Sequence, residues 1–258
     1  MWDTILINPI LNLLVTLYRA TGSLGIAIIL FTIIVKFVLI PLTIPSLKMA
    51  KKQNDIQPEL QKLKKKFSYD KKKLAEEQML LFKRHGINPG AGCITTIFTF
   101  VFMIAIYRVI AMFTLANDVQ VLNNRLYFPS FRFPVGEAIN TSFLYLNLTK
   151  PDPYIIVTIL SVAAQFIVTK MMMPYSNIAD KAVKKTPDHA DDIAQVMQKQ
   201  NLYVMPIMFF VFGLTLPSGV MLYIFISTVF QIVQTYLFSG WGGLKPWINK
   251  LKFVKKDM

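Results

Sequence analysis

A single lysine interrupts the apolar run Leu24–Pro45, LGIAIILFTIIVKFVLIPLTIP. An ammonium inside a hydrocarbon layer costs about 2.5–3.5 kcal/mol on insertion scales, so an intramembrane cation ordinarily faces a wet cavity or a partner. Lys36 is therefore the first candidate functional residue. Thr32 precedes it by four positions, on the same face of a helix. Gln165, Tyr223, Ser227, Gln231 and Gln234 place further uncharged polar groups in other apolar runs. Taken singly, each suits an interhelical hydrogen bond, worth about 0.6 kcal/mol. Taken with Lys36, they make a hydrophilic pocket inside a bilayer. The chemistry of such a pocket is electrostatic, because a fixed cation at reduced dielectric attracts carboxylates. The competing reading is that Lys36 snorkels. Pro41 and Pro45 shorten the regular helix, and a lysine stem reaches an interface from within about two turns of a helix end.

Bond-making chemistry finds no support in the remaining residues. All 14 acidic residues fall outside the apolar runs, where a proton- or sodium-coupled transporter needs a carboxylate. His85 and His189 both lie in polar segments, and neither stands in an HExxH pattern. Ser218-Gly219 after Pro217 reads as a turn rather than a nucleophile elbow, and there is no glycine-rich phosphate loop. Cys93 is the one cysteine, so neither an internal disulfide nor a cysteine metal cluster is possible. The expectation is a protein without catalytic residues, metal or cofactor.

Composition places these residues in a membrane. The chain is 258 residues long, 54% hydrophobic and has a mean hydropathy of +0.47, above the range of soluble domains. The apolar excess is concentrated in blocks. Leu24–Pro45 is long enough for a first span, since about 20 apolar residues cross a ~30 Å core. Further spans are read at 92–115, 154–173, 202–216 and 220–238. The last two are joined only by Pro217-Ser218-Gly219 and form a tight hairpin. Arg108 lies near the far end of its span and is expected to snorkel, and Lys170 lies close to the end of its own. Residues 1–20 put Ile5, Leu6, Ile10, Leu13, Leu14 and Leu17 on one helical face and Asp3, Asn8, Asn12 and Arg19 on the other; this pattern is too polar to span and reads as an interfacial helix.

Segment 46–91 is polar. Met49, Ile56, Leu60, Leu63 and Phe67 follow helical spacing, with Pro58 suited to a first turn. Ser68-Tyr69-Asp70 reads as a turn, after which Leu74, Gln78, Leu81 and Phe82 line a second helix. The product is an antiparallel helical hairpin with lysine-rich outer faces, including Lys64, Lys65, Lys66, Lys71, Lys72 and Lys73. Loop 116–152 is aromatic and near neutral, as suits a headgroup surface. It contains Asn140-Thr141-Ser142 and Asn147-Leu148-Thr149, which match the glycosylation pattern. Loop 174–200 is polar, and 239–258 is a basic tail.

The net charge of +14 is unevenly placed. Residues 48–84 hold twelve basic and five acidic side chains, and the tail holds five lysines against one aspartate. Because the spans alternate, 46–91, 174–200 and the tail share one side, and the positive-inside rule makes it cytoplasmic. The N-terminus is then outside and the C-terminus inside.

The order of these features resembles the YidC/Oxa/Alb family of membrane protein insertases. The similarity rests on Phe31-Thr32-Ile33-Ile34-Val35-Lys36 leading to Pro41-Leu42-Thr43, on Gln57-Pro58, on Asn88-Pro89 and Gly92-Cys93, and on Met205-Pro206 through Leu216-Pro217-Ser218-Gly219-Val220-Met221-Leu222-Tyr223. The resemblance covers nearly the whole chain. It implies an all-α polytopic fold in which five transmembrane helices enclose a hydrophilic groove, open to the cytoplasm and to lipid. It further implies a groove lined by Lys36, Thr32, Gln165 and Tyr223, and a cytoplasmic hairpin and basic tail that receive the substrate and the ribosome. Implied partners are nascent membrane proteins with short extracytoplasmic tails, the ribosome, a Sec translocon and anionic lipids, with a monomer as the working unit. The implied location is the bacterial plasma membrane.

Two departures stand out. The family usually has arginine at the Lys36 position, and Arg keeps its charge essentially everywhere whereas Lys depends on a wet environment. Gly90-Ala91-Gly92-Cys93-Ile94-Thr95 lacks the bulkier and proline residues common there. The large extracytoplasmic domain of some members is also missing, which reads as a core-only form or the mature part of a longer precursor. Two other functions compete: a small-anion channel or transporter with Lys36 as the anion site, and a membrane-anchored RNA- or ribosome-binding protein using the lysine runs. The first predicts two pseudo-symmetric halves, and the sequence shows no such repeat. The second needs only one span and no buried cation.

Overall fold

The computed structural model describes residues 3–67, 69–87, 91–115, 119–134, 136–137, 139–172, 206–245 and 247–248, without the side chains of 64, 71, 91–99 and 114–115. Several sequence expectations lie outside these residues: Asn88-Pro89, loop 174–200, the start of the fourth span at 202–205, and the tail lysines beyond 248. The described chain is mostly helical. Its backbone divides into two units, the first made of 1–40, 96–164 and 207–230, the second of 41–95, 165–206 and 231–258.

In the first unit, one π-helical turn at Asp3–Ile7 leads into α1, Asn8–Thr21. Pro9 sits in the first turn of α1, where its missing N–H costs nothing. Gly22 ends it in the left-handed region at φ 69°, its N–H donating to Tyr18 O at 2.7 Å. The buried face is Ile10, Leu11, Asn12, Leu14, Val15 and Tyr18, while Ile5 is 72% exposed. That face is rotated from the expected one, because Asn12 and Tyr18 find partners inside the protein. Among the described residues, Asp3–Thr21 is one of two helices long and apolar enough to cross a membrane, at hydropathy 1.2, whereas the sequence pattern alone reads as too polar for a span. The other is Ser218–Ser239, at hydropathy 1.6.

Helix α2, Leu24–Val38, stops well short of the expected Pro45. Leu39 N donates to Val35 O at 3.0 Å, and a new helix, α3, runs Ile40–Asp55. Proline at 41 explains the break: it has no N–H to continue the α2 ladder and its ring clashes with the carbonyl four residues back, yet it fits the first turn of α3. Taken together, α2 and α3 are long and apolar enough for one broken span or a re-entrant loop. Gly25 faces the Phe143 ring so closely that a β-carbon there would overlap it.

Helix α6 spans Ala91–Leu115, close to the expected second span, and buries Ala105, Ile106, Val109, Ile110 and Phe113. A single helical turn, α7 (Gln120–Asn123), and an irregular stretch follow. The loop then closes with strands β1, Ser142–Phe143, and β2, Leu146–Asn147, paired antiparallel with Ser142 opposite Asn147. Helix α8 is Ile156–Met172, α9 is 206–213, and α10 is Ser218–Ser239. The apolar core of this unit joins Leu11 and Leu14 of α1, Ile28 and Phe31 of α2, Ile106 and Ile110 of α6, Leu148 of the loop and Val220 to Ile224 of α10.

In the second unit, α4 (Gln57–Lys66) and α5 (Lys71–Arg84) form the basic hairpin. Pro58 occupies the first turn of α4, and Asp70 caps α5 by accepting from Lys73 N at 3.0 Å. Ile56, Leu60, Leu81 and Ile87 make a small core with Met49, Leu63 and Phe82 against it. Further along this unit, Gln234 Nε2 donates to Thr43 Oγ1 at 2.6 Å and Ser239 Oγ donates to Leu47 O at 3.0 Å, joining α10 to α3.

Candidate functional site

Lys36 lies in the last turn of α2, two residues before the helix ends, not at mid-helix. The partial negative charge of a helix C-terminus favours a cation there, by about 0.3–1 kcal/mol. The residue is half-buried. Around it, Ile34 is 40%, Phe37 59% and Val38 70% exposed, all apolar. Phe37 packs edge-on against Phe230 of α10, ring centroids 5.2 Å apart. Among the described residues, no hydrogen bond or ion pair engages the Lys36 ammonium.

The other cations in apolar helices are engaged. Arg108 lies 3.5 Å from Asp3, and the Lys170 ammonium sits 5.4 Å from the centre of the Trp247 ring. The snorkelling expected of Arg108 thus comes with an ion pair. Lys36 is thus set apart by its surroundings as well as by its position.

Thr32 is fully buried, and its hydroxyl donates to Ile28 O at 2.6 Å on its own helix. Such back-bonding satisfies the donor and leaves only lone pairs for a neighbour. Tyr223 is 4% exposed and belongs to the apolar cluster that also holds Ile28 and Phe31. One turn on from Tyr223, the buried Ser227 hydroxyl stands beside the Tyr223 phenol. In the second unit Gln165 is half-buried on α8, and Thr235 Oγ1 is buried and unpaired among the described residues. The i, i+4, i+8, i+11 spacing of Tyr223, Ser227, Gln231 and Gln234 puts these groups on one face of α10.

On the hairpin, Lys65, Lys66, Lys72 and Lys73 are exposed, and the side chains of Lys64 and Lys71 lie outside the described residues. The Lys66 and Lys73 ammoniums stand 5.2 and 5.8 Å from the centre of the Phe67 ring. No group of three or more metal-ligating side chains occurs among the described residues.

The face formed by α1 and loop 119–152 is closed by contacts that sequence reasoning missed. Asn12 Nδ2 donates to Arg125 O at 2.9 Å and Asn12 Oδ1 accepts from Tyr127 N at 2.7 Å. The Tyr18 hydroxyl accepts from Asn140 N at 3.0 Å. Arg19 makes a forked pair with Glu137, at 2.7 and 3.0 Å, donates to Arg132 O, and stacks 4.2 Å from the Phe133 ring centre. Asp3 pairs with Arg125 at 3.0 Å. These partners are more than a hundred positions apart, so no local pattern could reveal them. Arg19→Lys keeps the charge but loses the fork and the stacking. It is expected to cost about 1 kcal/mol, read as a lower melting temperature of the protein in detergent.

Asp152 is 6% exposed and caps α8: its carboxylate accepts from Val157 N at 2.7 Å and Tyr154 N at 3.0 Å. Partial burial, then the Asp152 charge, push the Tyr145 phenol above its ordinary pKa, so the neutral O–H donates to Asp152 Oδ2 at 3.4 Å. The two glycosylation-like motifs serve as turns. Asn140 Oδ1 accepts from Ser142 N, and Asn147 Oδ1 accepts from Thr149 N and Oγ1.

Comparison with known proteins adds an independent line. The profile of the family described as 60Kd inner membrane protein matches residues 16–241. Membrane protein insertase MisCA of Bacillus subtilis is 32% identical over 244 residues, covering 93% of this chain and 79% of the relative. Membrane protein insertase YidC of Fusobacterium nucleatum is 30% identical over 230 residues, covering 89% of this chain and 93% of the relative. Membrane protein insertase YidC of Wolinella succinogenes is 32% identical over 232 residues, which is 90% of this chain but 36% of that longer protein.

Proposed function

The chain belongs to the 60Kd inner membrane protein family, and on that footing we propose that it is a YidC-type membrane protein insertase of a bacterial plasma membrane. The observation that carries the reading is the family match across residues 16–241 coinciding with a cation, Lys36, that has no partner among the described residues while Arg108 and Lys170 have theirs.

A polar tail crossing a bilayer pays for every peptide group and charge that loses water. A groove holding Lys36, with Thr32 and Tyr223 as polar lining, shortens that barrier and attracts acidic residues in the tail. The substrate helix then moves into lipid alongside the bundle. The step requires no nucleotide, because the released energy is that of burying the substrate's apolar helix. The basic hairpin and tail lie on the cytoplasmic side, where Lys65, Lys66, Lys72 and Lys73 meet the ribosome and anionic lipid. The N-terminus is outside and the C-terminus inside, and clients arrive directly or from a Sec translocon at a monomeric insertase.

The test is rescue in a bacterium depleted of its own insertase. The client is a single-span protein with a short acidic N-terminal tail, and protease accessibility from outside scores translocation. Expression of this chain is expected to restore a protease-accessible tail. Failure to do so, together with chloride flux in vesicles containing the protein, would replace the insertase by the anion-transport reading.

A further inference from the structure

The hairpin of β1 and β2 is turned by only two residues, Leu144 and Tyr145. Leu144 has φ +54°, at the first position of the turn, where glycine is the usual occupant. A side chain in this region clashes with its own carbonyl, so leucine makes the turn harder to form. Its side chain is nevertheless 85% exposed and adds nothing to the core. Folding therefore supplies no reason for leucine here, and a reason must come from outside the chain.

The tip is rigidly placed. Phe143 seats on Gly25 at the start of α2. Ser218 N donates to Lys150 O at 2.7 Å, Gly219 N to Leu148 O at 2.9 Å and Ser218 Oγ to Asn147 O at 2.7 Å, tying the loop to the start of α10. Tyr145 reaches the start of α8 through Asp152 and through Tyr154, whose ring lies 5.6 Å away and which is 68% exposed. Directly beyond Tyr154, α8 presents Ile156, Ile159 and Leu160, each between 46% and 55% exposed. Lys150, beside the hairpin, is exposed as well.

We propose that this tip is a lipid anchor, with Leu144 entering the acyl region of the leaflet at the N-terminal ends of α8 and α10, and Tyr145 and Tyr154 at headgroup level. The proposal rests on the reading that these helices span a bilayer. Lipid is the occupant because the apolar tip continues into the exposed apolar surface of α8, because paired tyrosines suit the interface between headgroups and chains, and because Lys150 complements anionic headgroups. One leucine flanked by tyrosines is a narrow wedge, too small for a stable protein interface.

The test uses the full chain with Cys93→Ser, carrying either Leu144→Cys or Ile159→Cys labelled with the fluorophore NBD, in phosphatidylglycerol–phosphatidylethanolamine vesicles. The Leu144 position is expected to show blue-shifted emission, quenching by lipids spin-labelled near the headgroup, and loss of quenching by aqueous iodide. Quenching by iodide at 144 while 159 is quenched by lipid overturns the anchor and leaves the spanning helix intact. Shielding of 144 from both quenchers means that protein covers it, which also overturns the proposal. Water at both positions removes the spanning reading and the anchor with it. In detergent, Leu144→Gly is expected to raise the melting temperature by about 2–4 °C, since glycine accepts the turn. A lower melting temperature would show that leucine serves folding and would overturn the argument.

Discussion

Lys36→Leu is expected to cut translocation of a short acidic tail at least about tenfold, with Lys36→Arg near wild type. Two unit charges about 4 Å apart at an effective dielectric near 20 attract by roughly 4 kcal/mol. Competition from water leaves a fraction of that, and 1.4 kcal/mol already changes a rate tenfold. Arginine retains the charge and adds hydrogen-bond donors, so it should support insertion. Lys36→Gln separates two contributions, because an amide keeps the pocket polar but removes the charge. If Gln matches Lys, wetting suffices and the electrostatic account is wrong. A client with a neutral tail should lose much less with Leu than the acidic one. Folding is not at issue in these variants: Lys36 occupies the last turn of α2, and there the lost helix-dipole interaction is worth no more than about 1 kcal/mol. Equal melting temperatures in detergent would confirm it.

A large structural effect is expected at Gly219. A β-carbon at this position would stand 2.8 Å from Leu148 O, 3.2 Å from Ile110 Cδ1 and 3.3 Å from Leu148 Cβ. The nearest of these atoms is backbone and cannot swing aside. It is also the acceptor for Gly219 N, at 2.9 Å. Gly219→Ala must therefore push residues 147–150 away from the start of α10. That movement endangers the Ser218 N bond to Lys150 O and the Ser218 Oγ bond to Asn147 O. Overpacking costs about 1–3 kcal/mol, and each buried donor left unpaired about as much again. Alanine's better helix propensity returns up to about 1 kcal/mol. The net expectation is a loss of about 3 kcal/mol, seen as a lower melting temperature and faster protease cleavage in 140–152. An unchanged melting temperature would mean that the loop gives way freely and does not hold the helix start.

Much of this protein is decided locally. The stripes Met49, Ile56, Leu60, Leu63 and Leu81, Phe82 specify the paired hairpin helices, because 3.6-residue periodicity alone says which side chains share a face. The apolar runs likewise mark α2, α6, α8 and α10, and Pro217-Ser218-Gly219 marks the start of the last. Lys36 is conspicuous from composition alone, since a cation among apolar residues needs no neighbour to be noticed. Its place within α2 is another matter. Whether Pro41 bends a continuous helix or ends one depends on what takes up the freed carbonyls, and the folded chain ends α2 at Val38.

The face of α1 was decided only by the tertiary structure. Asn12 and Arg19 looked like a polar face because their partners, at 125–137, are remote in sequence. A polar side chain is equally at home in water or against a distant backbone group, and sequence does not say which. The same holds for Asp152, whose buried carboxylate caps a helix in a loop that read as surface. It holds most for Gly25 and Gly219, where the missing side chain is explained only by what lies opposite. Periodicity and hydropathy determine which segments become helices and which residues dislike their surroundings. Contacts between remote segments, where one hydrogen bond or one overlapping atom decides the outcome, determine how those helices are closed on one face.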